Sequence, residues 1–302
     1  MLRFTRSEIQ QLVHHFDLES LHLPHRINPP NKGEFILCAV LARLAYPTRL
    51  DLIQHYFGRS YTLLSLVINA ALQHLVDRYK DLLEWHPMYS SYEKLRIYAR
   101  TINAIGDIGD DCIWGFIDGT FKSFCRPGRN QREFYSGYKK AHGQKLQAIC
   151  SPDGIIGSIS GPYSGKVNDF TMVLQSGIEK RLDKVFEGKE ILYIYGDPAY
   201  KALTYIIGPY LKSGRILSRE KKQFNTRLSD VRISIEQAFG KAFMLWQANS
   251  FRNGFKAGSM PVGAYLYVAI LLTNCHTCFR GSTISNRFKM KPPSIENYLW
   301  LR

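Results

Sequence analysis

Two short apolar segments that each run into an aspartate constrain the fold of this chain most. They are Cys112–Thr120 (CIWGFIDGT) and Ile191–Tyr200 (ILYIYGDPAY). β-branched and aromatic runs closed by Gly or Pro are typical of buried strands. In α/β sheets, ligands bind beyond the carboxyl ends of such strands. We therefore predict that Asp118 and Asp197 stand at the ends of two central strands, where both can serve one site.

The remaining strands and helices follow a definite order along the chain. Three strands precede a helix, and a tight turn at Pro152-Asp153-Gly154 joins the second strand to the third. A fourth strand, a long helix and an apolar helix then follow. The predicted bounds are Cys112–Thr120, Gly143–Cys150, Ile155–Gly161, Asp169–Gln175 (with Asn168 or Asp169 as N-cap), Ile191–Tyr195, Ser229–Trp246 (capped by Ser229) and Val262–Thr273. Residues 201–228 are predicted to be irregular and basic. This order is that of a ribonuclease-H-like α/β nuclease core, a mixed sheet flanked by helices, here over residues 111–280.

The long predicted helix carries one acid beside its apolar face. Glu236 lies on the shoulder of a stripe that, at 100° per residue, contains Val231, Ile235, Ala238, Phe239 and Ala242. An acid at this margin can reach a cleft while its helix stays anchored. A solvated surface glutamate fits the same spacing. Taken singly, Asp118 and Asp197 also fit ordinary turn residues, and Asp169 is explained most simply as a helix cap.

Two aspartates and a glutamate are the ligands that a two-metal phosphoryl-transfer site requires. Cleavage of a phosphodiester builds charge on the attacking and leaving oxygens, and two divalent ions about 3.5–4 Å apart stabilise both. Mg²⁺ prefers oxygen ligands such as carboxylates. We predict that Asp118 bridges two Mg²⁺ or Mn²⁺ ions, with Asp197 holding one ion and Glu236 the other.

Residues 1–110 are predicted to be mostly helical. The helices expected there are Ser7–Phe16, Glu34–Tyr46, Thr48–Phe57, Tyr61 to about Tyr79, and Tyr92–Ile105. Gly58 allows a tight turn and Ser60 can cap the following helix, which gives a helix-turn-helix pattern. We predict that Arg49, Arg59 and Ser60 contact DNA. A packed three-helix bundle produces the same pattern without binding DNA. Residues 281–302 are predicted to form a C-terminal tail.

The chain has 40 basic and 25 acidic residues, a formal net charge of +15. Such an excess favours a polyanionic partner. Basic and aromatic residues concentrate directly after Asp118, and a second basic stretch spans residues 212–227. The DNA contacts predicted in the first stretch are Lys122, Arg126, Arg129, Arg132, Lys139 and Lys140. An RNA-directed nuclease stays open, because single strands also bind basic and aromatic surfaces. No apolar run is long enough to suggest a membrane span, so no membrane partner is expected.

Five motifs, in this order, resemble those of Harbinger-type transposases in the DDE endonuclease superfamily. They are FIDGT (116–120), SGYKKAHGQKLQAICSPDG (136–154), SGKVNDF (164–170), YGDPAY (195–200) and RISIEQAFG (232–240). Residues 41–60 (LARLAYPTRLDLIQHYFGRS) also resemble the helical segment that precedes the nuclease in that family. Pro198 and Tyr138 depart mildly from the family pattern, and neither change removes an acid.

The resemblance implies a set of roles for the acids and a cellular context. It implies metal-ligating roles for Asp118, Asp169, Asp197 and Glu236, of which Asp118, Asp197 and Glu236 form the catalytic triad. It also implies a nuclear DNA endonuclease or strand-transfer enzyme that acts on double-stranded DNA, such as transposon ends. The implied partners are a Myb-like DNA-binding protein and a second copy of the chain in a homodimer. The alternative is a domesticated, catalytically silent DNA-binding or adaptor protein.

Overall fold

The structure, a computed structural model, describes residues 2–23, 29, 31–200, 203–211, 217–250, 255–256 and 260–300. Within them the helices are α1 (Arg6–Phe16), α2 (Lys32–Ala45), α3 (Leu50–Phe57), α4 (Tyr61–Glu84), α5 (Tyr92–Gly106), α6 (Gln131–Phe134), α7 (Asp169–Ser176), α8 (Ile178–Phe186), α9 (Arg219–Leu245), α10 (Val262–Arg280), α11 (Thr283–Arg287) and α12 (Ile295–Tyr298). The strands are β1 (Ile113–Ser123), β2 (Tyr135–Ser136), β3 (Ala141–Cys150), β4 (Ile156–Ser164), β5 (Tyr193–Tyr195) and β6 (Ile206–Ile207). The chain therefore has a mixed α/β fold.

The strands form one mixed sheet with β1 at its centre. Strand β3 pairs with β1 and with β4, and β2 pairs with the start of β3, all in antiparallel fashion. On the other side of β1, β5 and then β6 continue the sheet in parallel. The main order across the sheet is thus β4-β3-β1-β5-β6. The turn between β3 and β4 lies where it was predicted, and Gly154 provides its positive φ of 82°.

Strand β1 is longer than predicted, and Asp118 lies in its middle rather than at its end. Pairing with β3 runs from Phe116, opposite Cys150, to Ser123, opposite Gly143. The Asp-Gly dipeptide stays extended because the partner strand supplies backbone hydrogen bonds over the whole length. A long-range pairing here overrides a local turn preference, which sequence patterns do not reveal.

Helices cover both faces of the sheet. Phe116 of β1 belongs to an apolar cluster that includes buried residues of α2, α4, α9 and α10. The next residue, Ile117, belongs to a second cluster with residues of α5, α7 and α8. Successive residues of a strand point to opposite faces, so the two clusters lie on opposite sides of the sheet. The N-terminal helices thus share an apolar core with the sheet, while the domain boundary near residue 110 stays a prediction.

The turn between α3 and α4 has the predicted local chemistry. Gly58 ends α3 in the left-handed conformation with φ 60°. The Ser60 side chain then caps α4 by accepting a hydrogen bond from the Leu63 N–H at 3.3 Å. Helix α4 continues to Glu84, beyond its predicted end, because residues such as Leu82 stay buried. The two helices and the turn of the predicted helix-turn-helix pattern are therefore present, while DNA binding by this segment stays a prediction.

Helix α9 begins at Arg219, well before the predicted cap at Ser229. The cap is Ser218, whose Oγ accepts a hydrogen bond from the Lys221 N–H at 3.4 Å. The segment predicted to be irregular is rich in Arg, Lys and Gln, which are good helix formers. The prediction of irregular structure was therefore wrong for residues 219–228, where the many charged residues were taken as a sign of a loop. Lys212 and Arg215 of the second basic stretch lie outside the described residues.

The C-terminal part is more structured than predicted. Helix α10 is long and apolar enough, by length and composition alone, to cross a membrane, in contrast to the shorter helix expected. Most of it is buried within the protein, as is common for a core helix. The predicted tail contains α11 and α12, and five of its described apolar side chains are buried: Ile284, Phe288, Ile295, Tyr298 and Leu299.

Candidate active site

One cavity beside the central strands contains all four acids that the sequence singled out. Its volume is about 780 Å³. The acidic and basic side chains in its wall are Asp118, Asp169, Asp197, Glu236, Lys139, Lys145 and Arg232. These residues come from β1, α7, α9, β3, the turn before β3 and the segment after β5. Elements that are distant in sequence therefore bring the acids into a single space.

Asp118 lies on β1, and Asp197 lies just after the end of the adjacent parallel strand β5. Phe116 pairs with Tyr195, and each aspartate follows two residues later. Residues two apart on a strand point to the same face, and neighbouring strands lie about 4.7–4.9 Å apart. Strand β5 ends at Tyr195, and Asp197 Oδ1 then accepts a hydrogen bond from the Ala199 N–H at 2.8 Å. The pairing of Phe116 with Tyr195 brings the two chain segments together, and both carboxylates line the same cavity.

Arg232 connects Glu236 on α9 with Asp118 on β1. Its Nη2 lies 2.9 Å from Glu236 Oε1, and its Nη1 lies 3.9 Å from Asp118 Oδ2. The Glu236 side chain is 53% exposed, whereas the side chains of Arg232 and Asp118 are 25% and 24% exposed. Glu236 thus reaches the cavity from the margin of its helix, with a guanidinium between it and Asp118.

Asp169 approaches the same space from the opposite face of the sheet. It is the first residue of α7, and the cap is Asn168, whose Oδ1 accepts from the Thr171 N–H at 2.7 Å. Gly119 makes the approach possible, because a Cβ at that position would lie 3.0 Å from Asp169 Oδ1. Lys145 Nζ lies 3.2 Å from the same oxygen. Because Gly119 has no side chain, there is room beside β1 for the Asp169 carboxylate of α7.

Asp118 is the acid whose protonation the site changes most clearly. Burial raises the pKa of Asp118 from 3.8 to about 6. The hydrogen bond from the Gly119 N–H and the charge of Arg232 act in the opposite direction, while Asp197 and Glu236 add to the increase. Loss of hydration and two nearby carboxylates therefore outweigh the single guanidinium. A cation among these acids would favour the charged form.

The donor chemistry suits a hard divalent cation, but the side chains do not converge on one position in this arrangement. Carboxylate oxygens are the ligands that Mg²⁺ and Mn²⁺ prefer. In the part of the chain that the structure describes, no group of three His, Cys, Asp or Glu side chains is placed to hold an ion. Arg232 and Lys145 account for this, because their cationic groups already engage Asp118, Glu236 and Asp169.

The predicted phosphate contacts after Asp118 are exposed, with one exception. The exposed residues are Arg126, Arg129, Arg132, Lys139 and Lys140. Lys122 is 3% exposed; its ammonium group donates to the Asn249 carbonyl and lies 4.5 Å from the centroid of the Phe255 ring. This burial lowers the pKa of Lys122 to about 8. Lys122 is a core residue, and its prediction as a DNA contact was wrong.

The N-terminal residues predicted to contact DNA lie at the two ends of α3. Arg49 precedes the helix, and Arg59 and Ser60 follow it in the turn to α4. All three are exposed. They are absent from the wall of the acidic cavity. If they bind DNA, they do so as a separate contact surface.

Sequence reasoning missed two cationic residues of the site. The spacing of Arg232 and Glu236, four residues apart on a helix, is a signal for an ion pair that was available in the sequence. Lys145 shares a face of β3 with Gln147. The amide of Gln147 donates to the Asp169 carbonyl at 3.3 Å and to the Tyr200 hydroxyl at 3.1 Å. These contacts depend on strand register, which the sequence alone did not provide.

The chain is similar to known proteins over part of its length. Residues 117–274 match the family described as DDE superfamily endonuclease, a range that includes all four acids. A probable transposase for insertion sequence element IS702 from Microchaete diplosiphon is 27% identical over 125 residues, which are 40% of this chain and 42% of that protein. The match thus spans about two fifths of the length of that curated relative. No solved structure matches the chain.

Proposed function

The chain belongs to the DDE superfamily endonuclease family, and from this membership we propose that it cleaves DNA with the acids of its cavity. Asp118, Asp197 and Glu236 form the catalytic triad of the proposal, and Asp169 is an additional ligand. The observation that carries it is that Asp118 and Asp197, each two residues beyond the paired Phe116 and Tyr195 of adjacent strands, line one cavity with Glu236 and Asp169. Two ions that act together are only about 3.5–4 Å apart, so they need carboxylates that are held side by side.

The proposed site takes a divalent cation, Mg²⁺ or Mn²⁺. When bound, the cation supplies charge stabilisation for the attacking and leaving oxygens of a phosphodiester. Asp118 would hold it from the middle of a rigid strand, Asp197 from the end of the next strand and Glu236 from α9. Arg232 must first release Glu236. The Glu236 side chain is 53% exposed, so solvent screens its i,i+4 pair with Arg232 and lowers the cost of this release.

Double-stranded DNA is the proposed substrate, and phosphate contacts dominate its binding. The net charge of +15 and the exposed basic residues at 126–140 support this part of the proposal. Cations such as Lys139, which lines the cavity, are placed to hold the phosphate backbone near the acids. The sheet order β4-β3-β1-β5-β6 supports a ribonuclease-H-like core within the proposal.

The wider context of the proposal follows the resemblance to Harbinger-type transposases. In that context the protein acts in the nucleus on transposon ends or sites derived from them, as a homodimer and with a Myb-like partner. The IS702 protein that matches part of the chain is named a probable transposase, which supports a transposase-like reaction. Arg49, Arg59 and Ser60 then bind DNA as a second surface.

A divalent-metal titration with supercoiled plasmid DNA tests the proposed activity. We expect nicked and linear products with Mg²⁺ or Mn²⁺, and none with EDTA. Asp118→Asn should abolish cleavage, because the variant keeps the size of the side chain and loses its charge. Asp81→Asn, an exposed acid at the end of α4, is the matched control and should cleave as the parent does. Equal cleavage by the parent and Asp118→Asn would disprove the site assignment.

One observation favours the alternative, a catalytically silent DNA-binding or adaptor protein. Arg232 and Lys145 form ion pairs with three of the acids, which gives these carboxylates cationic partners within the protein. A silent protein would bind plasmid DNA and show no metal-dependent cleavage. Isothermal titration calorimetry with Mg²⁺ separates the nuclease from the silent protein further. A nuclease requires that Mg²⁺ binds the parent protein and does not bind Asp118→Asn, whereas a silent protein does not require this difference.

A further inference from the structure

An exposed aromatic ring lines the cavity that contains the four acids. Tyr138 is 90% exposed, and it lines the same cavity as the four acids. It lies in the turn of residues 137–140 between β2 and β3, and pairing of Ser136 with Ala141 closes this turn at its base. The Lys139 N–H also donates to Ser136 Oγ at 3.3 Å. These contacts fix the backbone of the turn that carries Tyr138 beside the sheet.

The surroundings of Tyr138 are those of a stacking surface for a nucleobase. Lys139 Nζ lies 5.1 Å from the centroid of the ring, close enough for a cation–π contact. Phe170, in the first turn of α7, is 37% exposed and also lines the cavity. Proteins that bind unpaired nucleic acid combine such exposed aromatic rings with cations that follow the phosphates. Here both lie within the cavity that holds the acids.

A paired base in the interior of a duplex cannot stack on the Tyr138 ring. Its two faces are covered by the neighbouring base pairs, so an aromatic side chain can stack on it only after it leaves the helix. We propose that Tyr138 stacks on an unpaired base next to the phosphate that is cleaved. The preferred substrate is then DNA with locally unpaired nucleotides rather than a perfect duplex. This inference depends on the proposed function, because it places the cleaved phosphate among the acids.

The stacking can be measured without any cleavage. Binding is followed in EDTA by fluorescence anisotropy, with a fully paired duplex and with the same duplex containing one unpaired nucleotide. A second probe carries 2-aminopurine at the unpaired position, whose fluorescence falls when it stacks on a ring. The proteins are the parent, Tyr138→Ala, Tyr138→Phe and Tyr135→Ala. Tyr135 is 43% exposed on the same hairpin but does not line the cavity, which makes it a matched control.

Base–aromatic stacking contributes about 1–3 kcal/mol, which corresponds to an affinity ratio of about 5 to 150. We expect the parent to prefer the unpaired duplex by a ratio in this range and to quench 2-aminopurine. Tyr138→Ala should lose both effects and keep its affinity for the paired duplex, while Tyr138→Phe and Tyr135→Ala should keep the preference. A parent without preference, or a preference that survives in Tyr138→Ala, overturns the inference and leaves the nuclease proposal standing. Absence of all DNA binding would overturn both.

Discussion

Replacing Asp118 by Asn should stabilise the protein near neutral pH, although it removes a residue of the proposed active site. Burial holds the pKa of Asp118 at about 6, compared with 3.8 for an ordinary aspartate. The charged form is therefore less favourable in the folded chain than in the unfolded chain. The Asp118 side chain is only 24% exposed, so solvent screens this cost only partly. Asn retains an oxygen for the Gly119 N–H, which now donates to Asp118 Oδ1 at 2.8 Å.

The size of the effect follows from the two pKa values. One pKa unit corresponds to about 1.36 kcal/mol, so the change from 3.8 to about 6 lowers the free energy of unfolding by about 3 kcal/mol at pH 7. Because the folded-state pKa is raised, the cost is complete above about pH 6 and disappears as the pH falls below the unfolded value. Asp118→Asn removes it. The variant should therefore gain about 3 kcal/mol at pH 7 and well under 1 kcal/mol near pH 4.

Urea unfolding of the metal-free proteins, from about pH 4 to about pH 8, measures this difference. Asp81→Asn provides the control, because substitutions of exposed residues change stability by only about ±0.5 kcal/mol at any pH. The reasoning would be refuted if the parent and Asp118→Asn had the same free energy of unfolding at pH 7, or if their difference in this free energy did not change with pH. Added Mg²⁺ should narrow the gap, because binding stabilises the parent and not the variant.

Three other predictions concern the charges around the site and at the N-terminus. Arg232→Ala should bind Mg²⁺ about tenfold more tightly in calorimetry, because a guanidinium beside two ligands opposes the cation; unchanged affinity would show that Arg232 does not compete. Affinity for duplex DNA should fall with salt with a log–log slope of about −0.9 per phosphate neutralised, and a flat dependence would make the net charge incidental. The double variant Arg49→Ala with Arg59→Ala should weaken DNA binding and leave the melting temperature unchanged; parental binding would leave the N-terminal helices a structural role only.

Much of the architecture could be predicted, because it depends on local patterns. The apolar runs before Asp118 and Asp197 are strands, and Gly58 and Ser60 punctuate α3 and α4 as expected. Helix α7 begins at Asp169, after the cap Asn168, which was one of the two predicted caps. In each case a short stretch of sequence contains the physical cause.

The errors arose where distant parts of the chain decide the outcome. The extension of β1 past Asp118 depends on register with β3. The burial of Lys122 depends on Asn249 and Phe255, which are more than a hundred residues away. The ion pairs of Arg232 with Asp118 and of Lys145 with Asp169 need the folded positions of four separate elements. Their charges were visible in the sequence, but their partners on other elements, Asp118 and Asp169, were not.

The gap that Gly119 leaves in β1 has a mechanical consequence. Asp118 faces α9, and the Asp169 carboxylate of α7 lies against Gly119 on the other face of the sheet. Acids from both helical layers are therefore close to each other at this position of β1. Any ligand that engages both acids therefore acts as a crosslink between layers that the sheet otherwise keeps apart. Such a crosslink should slow amide hydrogen exchange in α7 and α9 together, although the two helices lie on opposite sides of the sheet. Gly119→Ala would place a Cβ 3.0 Å from Asp169 Oδ1 and should therefore displace that carboxylate and weaken the crosslink.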